Sequence, residues 1–216
     1  MKTDELIGLL GASFASEPAK SPNMLRRIAL TAMAGAAGTL CLALLMSGVR
    51  PDLGEGWALV FLLAKLAFAI AVGGLALRYL SRIVRPGGER RVHLGIAALP
   101  FVAVMTLAVL SLANAPPAHW GTMLTGHMWL ECLISIPVIA VVPFASLMWV
   151  VRTIGAPTDL VRTGALVGLA SGGVSAMGYA IHCMDDTMPF VAVWYGGTIA
   201  LCSLTGALLG PRLLRW

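Results

Sequence analysis

The strongest constraint on this chain is a set of six apolar stretches, each close to 20 residues, joined by short polar connections. They fall at about 28–49, 57–80, 93–113, 132–151, 161–181 and 191–210. In a helix, roughly 20 residues cross a hydrocarbon core about 30 Å thick. Lipid offers the backbone no hydrogen bonds, so each stretch is predicted to be a helix that satisfies its own polar groups. The composition agrees: 58% of the 216 residues are apolar and 12% charged, where a soluble domain carries about 25% charged residues. The expected fold is an all-α membrane protein, six transmembrane helices in a compact bundle. Residues 1–27 hold Asp4, Glu5 and Glu17 and no long apolar region, unlike a cleavable signal peptide, so the first span is expected to be retained. Two parts follow: a polar N-terminal segment, 1–27, and a transmembrane domain, 28–216.

Orientation follows from the positive charges. With the N-terminus in the cytoplasm, thirteen Lys and Arg residues, from Lys2 to Arg215, fall in cytoplasmic segments, and only Arg50 falls in an outer loop. Both termini are then cytoplasmic, as expected of a multi-pass protein of a bacterial inner membrane. The net charge of +5 is not a nucleic-acid signature, because the arginines sit at the ends of apolar runs and form no basic face with interleaved aromatics.

Gly164, Gly168 and Gly172 recur every four residues on the fifth span, and Gly206 and Gly210 pair on the sixth. Small residues at that spacing let another helix approach closely. The partner is a helix of the same bundle or, alternatively, a second copy in a homo-oligomer. Pro137 and Pro143 are expected to bend the fourth span.

Reactive side chains gather on the predicted extracytoplasmic face. His119, His127, Glu131 and Cys132 lie in or beside the loop 114–131, and "HCMDD" brings His182, Cys183, Asp185 and Asp186. Cys41 and Cys202 lie within spans and read as small hydrophobes. Cys132 and Cys183 leave three readings open: a redox pair, ligands for a soft or borderline metal together with His182 and neighbouring groups, or inert residues. Lys65 lies inside a span, at a cost of roughly 2.5–3.5 kcal/mol on insertion scales. It either pairs with Glu131 or Asp185 or snorkels to the outer headgroups.

The opening "MKTDELIGLLGASF" reads as a short amphipathic helix, with Thr3 as its cap and Asp4 and Glu5 in its first turn. Leu6, Ile7, Leu10 and Phe14 form its apolar stripe. Such a helix lies on the membrane lipids or fits a partner's groove, and its acidic residues favour a protein partner over an anionic lipid surface.

The chain resembles the NrsF family of membrane anti-sigma factors, negative regulators of extracytoplasmic-function sigma factors. The likeness rests on "MKTDELIGLL", the lysine in "FLLAKLAFAIAVGGLALR", the cysteine in "WLECLISIPVIAVVPFA", "GYAIHCMDDTMPFVAVWYGG" and "GALLGPRLLRW". It implies six spans, an N-terminal segment that holds the sigma factor inactive, and Cys132 and Cys183 as sensing elements for oxidants or thiol-reactive metals in a stress response. "HCMDD" stands where "HCPED"-like text is expected in relatives. No cofactor or catalytic activity is implied. The rivals are a small transporter, which would want more charge at mid-membrane than Lys65 alone, and a thiol-redox membrane protein, which would want a CxxC pair.

Overall fold

A computed structural model describes residues 23–48, 50–52, 54–84 and 94–215. Helix α1 spans Asn23–Ser47 and α2 spans Gly56–Ile83. A 3₁₀ turn at Leu94–Ala98 leads into α3, Leu99–Ala113, and another at Pro117–His119 leads into the short α4, Trp120–Thr125. Then come α5, Trp129–Ile154, and α6, Leu160–Ala180. The last helix, α7, runs over Met188–Leu213 with a π-helical turn at Val191–Tyr195. No strand occurs among the described residues.

The ends of these helices have local causes. Asp159 caps α6, its carboxylate accepting from the Arg162 amide at 2.9 Å, and the Thr187 hydroxyl accepts from the Phe190 amide at 3.3 Å at the start of α7. Pro100 sits in the first turn of α3, where its missing N–H removes nothing. Beyond α1, Gly48 adopts φ 73°, the left-handed conformation that lets a chain leave a helix. Helix α1 begins before the apolar run at 28: the polar residues Asn23, Arg26 and Arg27 carry it past that run. Pro137 and Pro143 both lie within a helix assigned continuously from Trp129 to Ile154.

Among the described residues, five segments are long and apolar enough to cross a membrane: Gly56–Ile83, Gly95–Ala113, Pro117–Ile154, Leu160–Ala180 and Met188–Leu213, with mean hydropathies from 1.3 to 2.4. Helix α1, of 25 residues, packs beside them against α5 and α6. Leu99, Val102, Val141, Trp149 and Leu204 are exposed, as the outside of a bundle that faces hydrocarbon requires. The described residues are those of a helical membrane protein.

Helix α6 lies at the centre, in contact with α1, α2, α5 and α7. Its most apolar window is 67% buried, against 17% for the peripheral α3. The glycines make this possible. A Cβ at Gly164 would overlap the Gly206 carbonyl oxygen, one at Gly168 would overlap the Cys202 carbonyl oxygen, and one at Gly206 would overlap the Gly164 carbonyl oxygen. The two stripes therefore face each other, α6 against α7 of the same chain. A Cβ at Gly173 would lie 2.9 Å from the Gly73 amide nitrogen, so α2 approaches α6 as closely from another side. Two buried clusters fill the bundle. One joins Ile28, Tyr79, Leu80, Leu147 and Leu166, and the other joins Phe68, Cys132, Tyr179, Phe190 and Tyr195.

Candidate functional site

The second cluster lies at the end of the bundle where loops 48–55, 114–128 and 181–187 meet. Cys132, in the first turn of α5, and Cys183, just beyond α6, are both 0% exposed and belong to this cluster. Both are free thiols. Tyr179 and Tyr195 pack beside them, ring centroids 6.1 Å apart, with Phe190 6.4 Å from Tyr195. The π-helical turn ends at Tyr195; such turns re-aim a side chain within a helix. The hydroxyls of Tyr179 and Tyr195 are buried in the same pocket of side chains as the two thiols, and that of Tyr195 faces the Cys183 thiol.

The other side of Cys183 is electrostatic. Its carbonyl oxygen accepts from the Lys65 ammonium at 2.9 Å and from the Arg50 guanidinium at 3.2 Å. Both cations also converge on Asp186. Lys65 Nζ lies 2.7 Å from Asp186 Oδ1, Arg50 Nη1 donates to the same oxygen at 3.0 Å, and Arg50 Nη2 pairs with Oδ2. Arg50 additionally forks onto Asp52, at 2.6 and 2.7 Å. Two cations and two carboxylates leave the cluster neutral. Lys65 is 0% exposed and the Asp186 side chain 3%, so Lys65 does not snorkel: its partner is Asp186, the neighbour of the expected Asp185. Hydrogen bonds donated to Asp52 and Asp186 hold the Arg50 guanidinium firmly charged, and Arg50 in turn holds the Asp52 carboxyl below its ordinary value. Removing one partner of such a buried set strands its counter-charge at a cost of about 3–5 kcal/mol.

The remaining predicted residues frame this core. Asp185 accepts from the His127 amide at 2.9 and 3.0 Å and from the Met128 amide at 2.7 Å. It thereby satisfies orphan donors at the start of α5, and Gly126, at φ 59°, turns the chain toward it. Glu131 is exposed and lies 3.9 Å from His182, which packs edge-on against Tyr179 at 5.9 Å. The His127 side chain is exposed. Among the described residues, no three His, Cys, Asp or Glu side chains converge as a metal site. Leu6, Ile7, Leu10, Phe14, Asp4 and Glu5 lie outside the described residues, as does the rest of the segment before Asn23.

Residues 13–216 match the family described as "NrsF: Negative regulator of sigma F". The chain belongs to the NrsF family. It is 31% identical over 216 residues, the full length of both chains, to the "Probable anti-sigma-F factor NrsF" of Azospira oryzae. It is 32% identical, again over the full length of both, to the "Anti-sigma-F factor NrsF" of Caulobacter vibrioides. No solved structure matches it.

In this NrsF chain, Asp52, Tyr179 and Tyr195 are residues that sequence reasoning passed over, and Arg50 and Asp186 are residues it noted without giving them a role. A signal for these two existed. A lysine in a span demands a carboxylate, and Arg50, the one cation predicted for the outer loops, competes for the same one.

Burial pushes the Cys183 thiol above the ordinary thiol value, and the Lys65 charge offsets this only in part. A raised value means less thiolate at any given pH, and the thiolate is the nucleophile. Alkylation of Cys183 by a maleimide in the intact protein is therefore expected to be slow at neutral pH. It should keep accelerating at alkaline pH, where an ordinary thiol has levelled off. A rate at pH 7 equal to that of a free exposed cysteine would contradict the buried thiol.

Proposed function

We propose that this protein is an anti-sigma factor of the bacterial inner membrane, with six spans and both termini in the cytoplasm. Its N-terminal segment holds an extracytoplasmic-function sigma factor inactive. Cys132 and Cys183 sense an oxidative or thiol-reactive metal signal from the extracytoplasmic side. The observation that carries this reading is that Cys132, from the first turn of α5, and Cys183, from the turn after α6, belong to one buried cluster at a single end of the bundle. The names of the full-length relatives support the regulatory half, and the arginine bias supports the orientation.

The chemistry needs few parts. An oxidant of the peroxide or disulfide class takes two electrons and two protons from the two thiols, and a sulfur–sulfur bond replaces two S–H bonds. A soft cation instead displaces the two protons and bridges the two sulfurs. Either product ties the first turn of α5 to the turn after α6. Asp185 positions that junction through the His127 and Met128 amides, and His182 packs beside it against Tyr179, 3.9 Å from Glu131.

The test is sigma-dependent transcription under oxidant or soft-metal stress, with co-purification of the sigma factor from unstressed membranes. The wild-type protein should retain the sigma factor and release it under stress. Cys132→Ser and Cys183→Ser should each retain it under both conditions, because each removes half of a pair. Normal induction in both variants would show that the cysteines are not the sensor.

A further inference from the structure

The densest feature that the sensing chemistry leaves unused is the buried charge cluster. It joins the segment after α1 to the turn after α6. Arg50 follows α1 by three positions and is 3% exposed. Its amide donates to the Ile181 carbonyl at 3.2 Å. Its guanidinium donates to the Cys183 carbonyl at 3.2 Å and to Asp186 Oδ1 at 3.0 Å. The loop end of α1 is thus stitched to the turn that carries Cys183. Lys65 pins the same turn from α2, on the same carbonyl and the same carboxylate.

We infer that Arg50 and Asp186 form a clasp that couples the position of Cys183 to helix α1. The inference rests on the proposal that Cys183 senses. Where bonding of the Cys183 sulfur to Cys132 or to a shared cation needs the two Cα atoms drawn to disulfide or ligand distance, the backbone of the turn shifts and the Cys183 carbonyl shifts with it. That carbonyl accepts from two buried cations, and such bonds lose strength steeply once their geometry is spoiled. The displaced turn therefore pulls on or releases Arg50. Helix α1 continues from there for 25 residues, about 37 Å at the helical rise. It rests on α5 and α6 through small-residue contacts: a Cβ at Gly35 would lie 2.9 Å from the Pro143 Cβ, and one at Gly178 would lie 3.2 Å from the Thr39 carbonyl. At its far end, Asn23 adjoins residues 1–22, the segment proposed to hold the sigma factor. Arg50 and Asp186 are positioning residues: they touch neither thiol and act through the backbone of Cys183.

The experiment uses the full-length protein in its own membrane with a sigma-dependent reporter. Asp186→Asn and Arg50→Lys are each made with the cysteines present and with Cys132→Ser and Cys183→Ser combined. Arg50→Lys keeps the charge but loses the fork that serves Asp52, Asp186 and the carbonyl together. Asp186→Asn should raise unstressed transcription about tenfold or more at a normal membrane level of the protein. Arg50→Lys should raise it less. Both rises should persist without the cysteines, because the clasp acts after them. A residue that merely stabilised the fold would lower the protein level and leave the output per molecule unchanged. If Asp186→Asn fails to accumulate, Arg50→Lys decides. Unstressed output at the wild-type value in the variants that accumulate, with stress induction intact, overturns the clasp. Failure of the sensing proposal shows in a different strain: induction that persists in the doubly cysteine-free protein with Arg50 and Asp186 intact.

Discussion

Replacing Gly168 with leucine is expected to remove most of the assembled protein from the membrane. The new Cβ would overlap the Cys202 carbonyl oxygen and lie 2.9 Å from the Ser203 Cα. These are backbone atoms of α7, so no side chain can rotate away and the two helices must separate. Overpacking a core commonly costs 1–3 kcal/mol and occasionally more. Here the leading carbon already collides and three more follow it, so the loss should reach about 3 kcal/mol or more. Thermal unfolding in detergent reads the effect directly, and Gly168→Ala should fall between leucine and wild type. Gly197→Leu is the matched control, because nothing lies within 4 Å of a Cβ there. A Gly168→Leu protein that melts like wild type would mean that α6 and α7 do not meet along this line.

That crossing was legible in the sequence, and the reason is periodic. Glycines four apart share one face of a helix, and a face without side chains has use only where another backbone comes near. The helices themselves were legible because lipid permits the backbone few alternatives. The turn at 181–187 was not, because its contacts join residues far apart in the chain. Lys65 announced itself by its cost, yet "DD" offers two adjacent carboxylates that pattern alone treats alike. The fold divides them: Asp185 satisfies the amides of His127 and Met128, and Asp186 takes Lys65 and Arg50. Tyr195 was hidden for another reason. A π-helical turn breaks the period by which its direction would be counted.

The largest regulatory effect is expected from Leu10→Asp, in the segment before Asn23. Leu6, Leu10 and Phe14 recur at four-residue spacing, and a partner that covers the stripe buries Leu10 at its middle. Covering one leucine contributes roughly 1.5–3 kcal/mol. A carboxylate in its place loses that contribution and brings a charge that must keep its water. Sigma-factor affinity should fall by about a hundredfold or more, and the regulon should run without a stimulus. The assay is unstressed sigma-dependent transcription, with immunoblotting to show that the Leu10→Asp protein is present at the wild-type level. Continued repression by such a protein would remove this segment as the point of contact. An intermediate substitution, Leu10→Ala, should give partial release.

The pairing of Lys65 with Asp186 also sets an order of events in biosynthesis. The two residues are 121 positions apart, so α2 must enter the bilayer while its counter-ion has yet to be made. Its many leucines, alanines and phenylalanines, at a mean hydropathy of 2.3, carry the lysine in unaided. The amides of His127 and Met128 wait in the same way for Asp185. Both groups are satisfied by one short turn that is made only after α1 to α6. A nascent chain halted before that turn would hold a buried cation without its carboxylate.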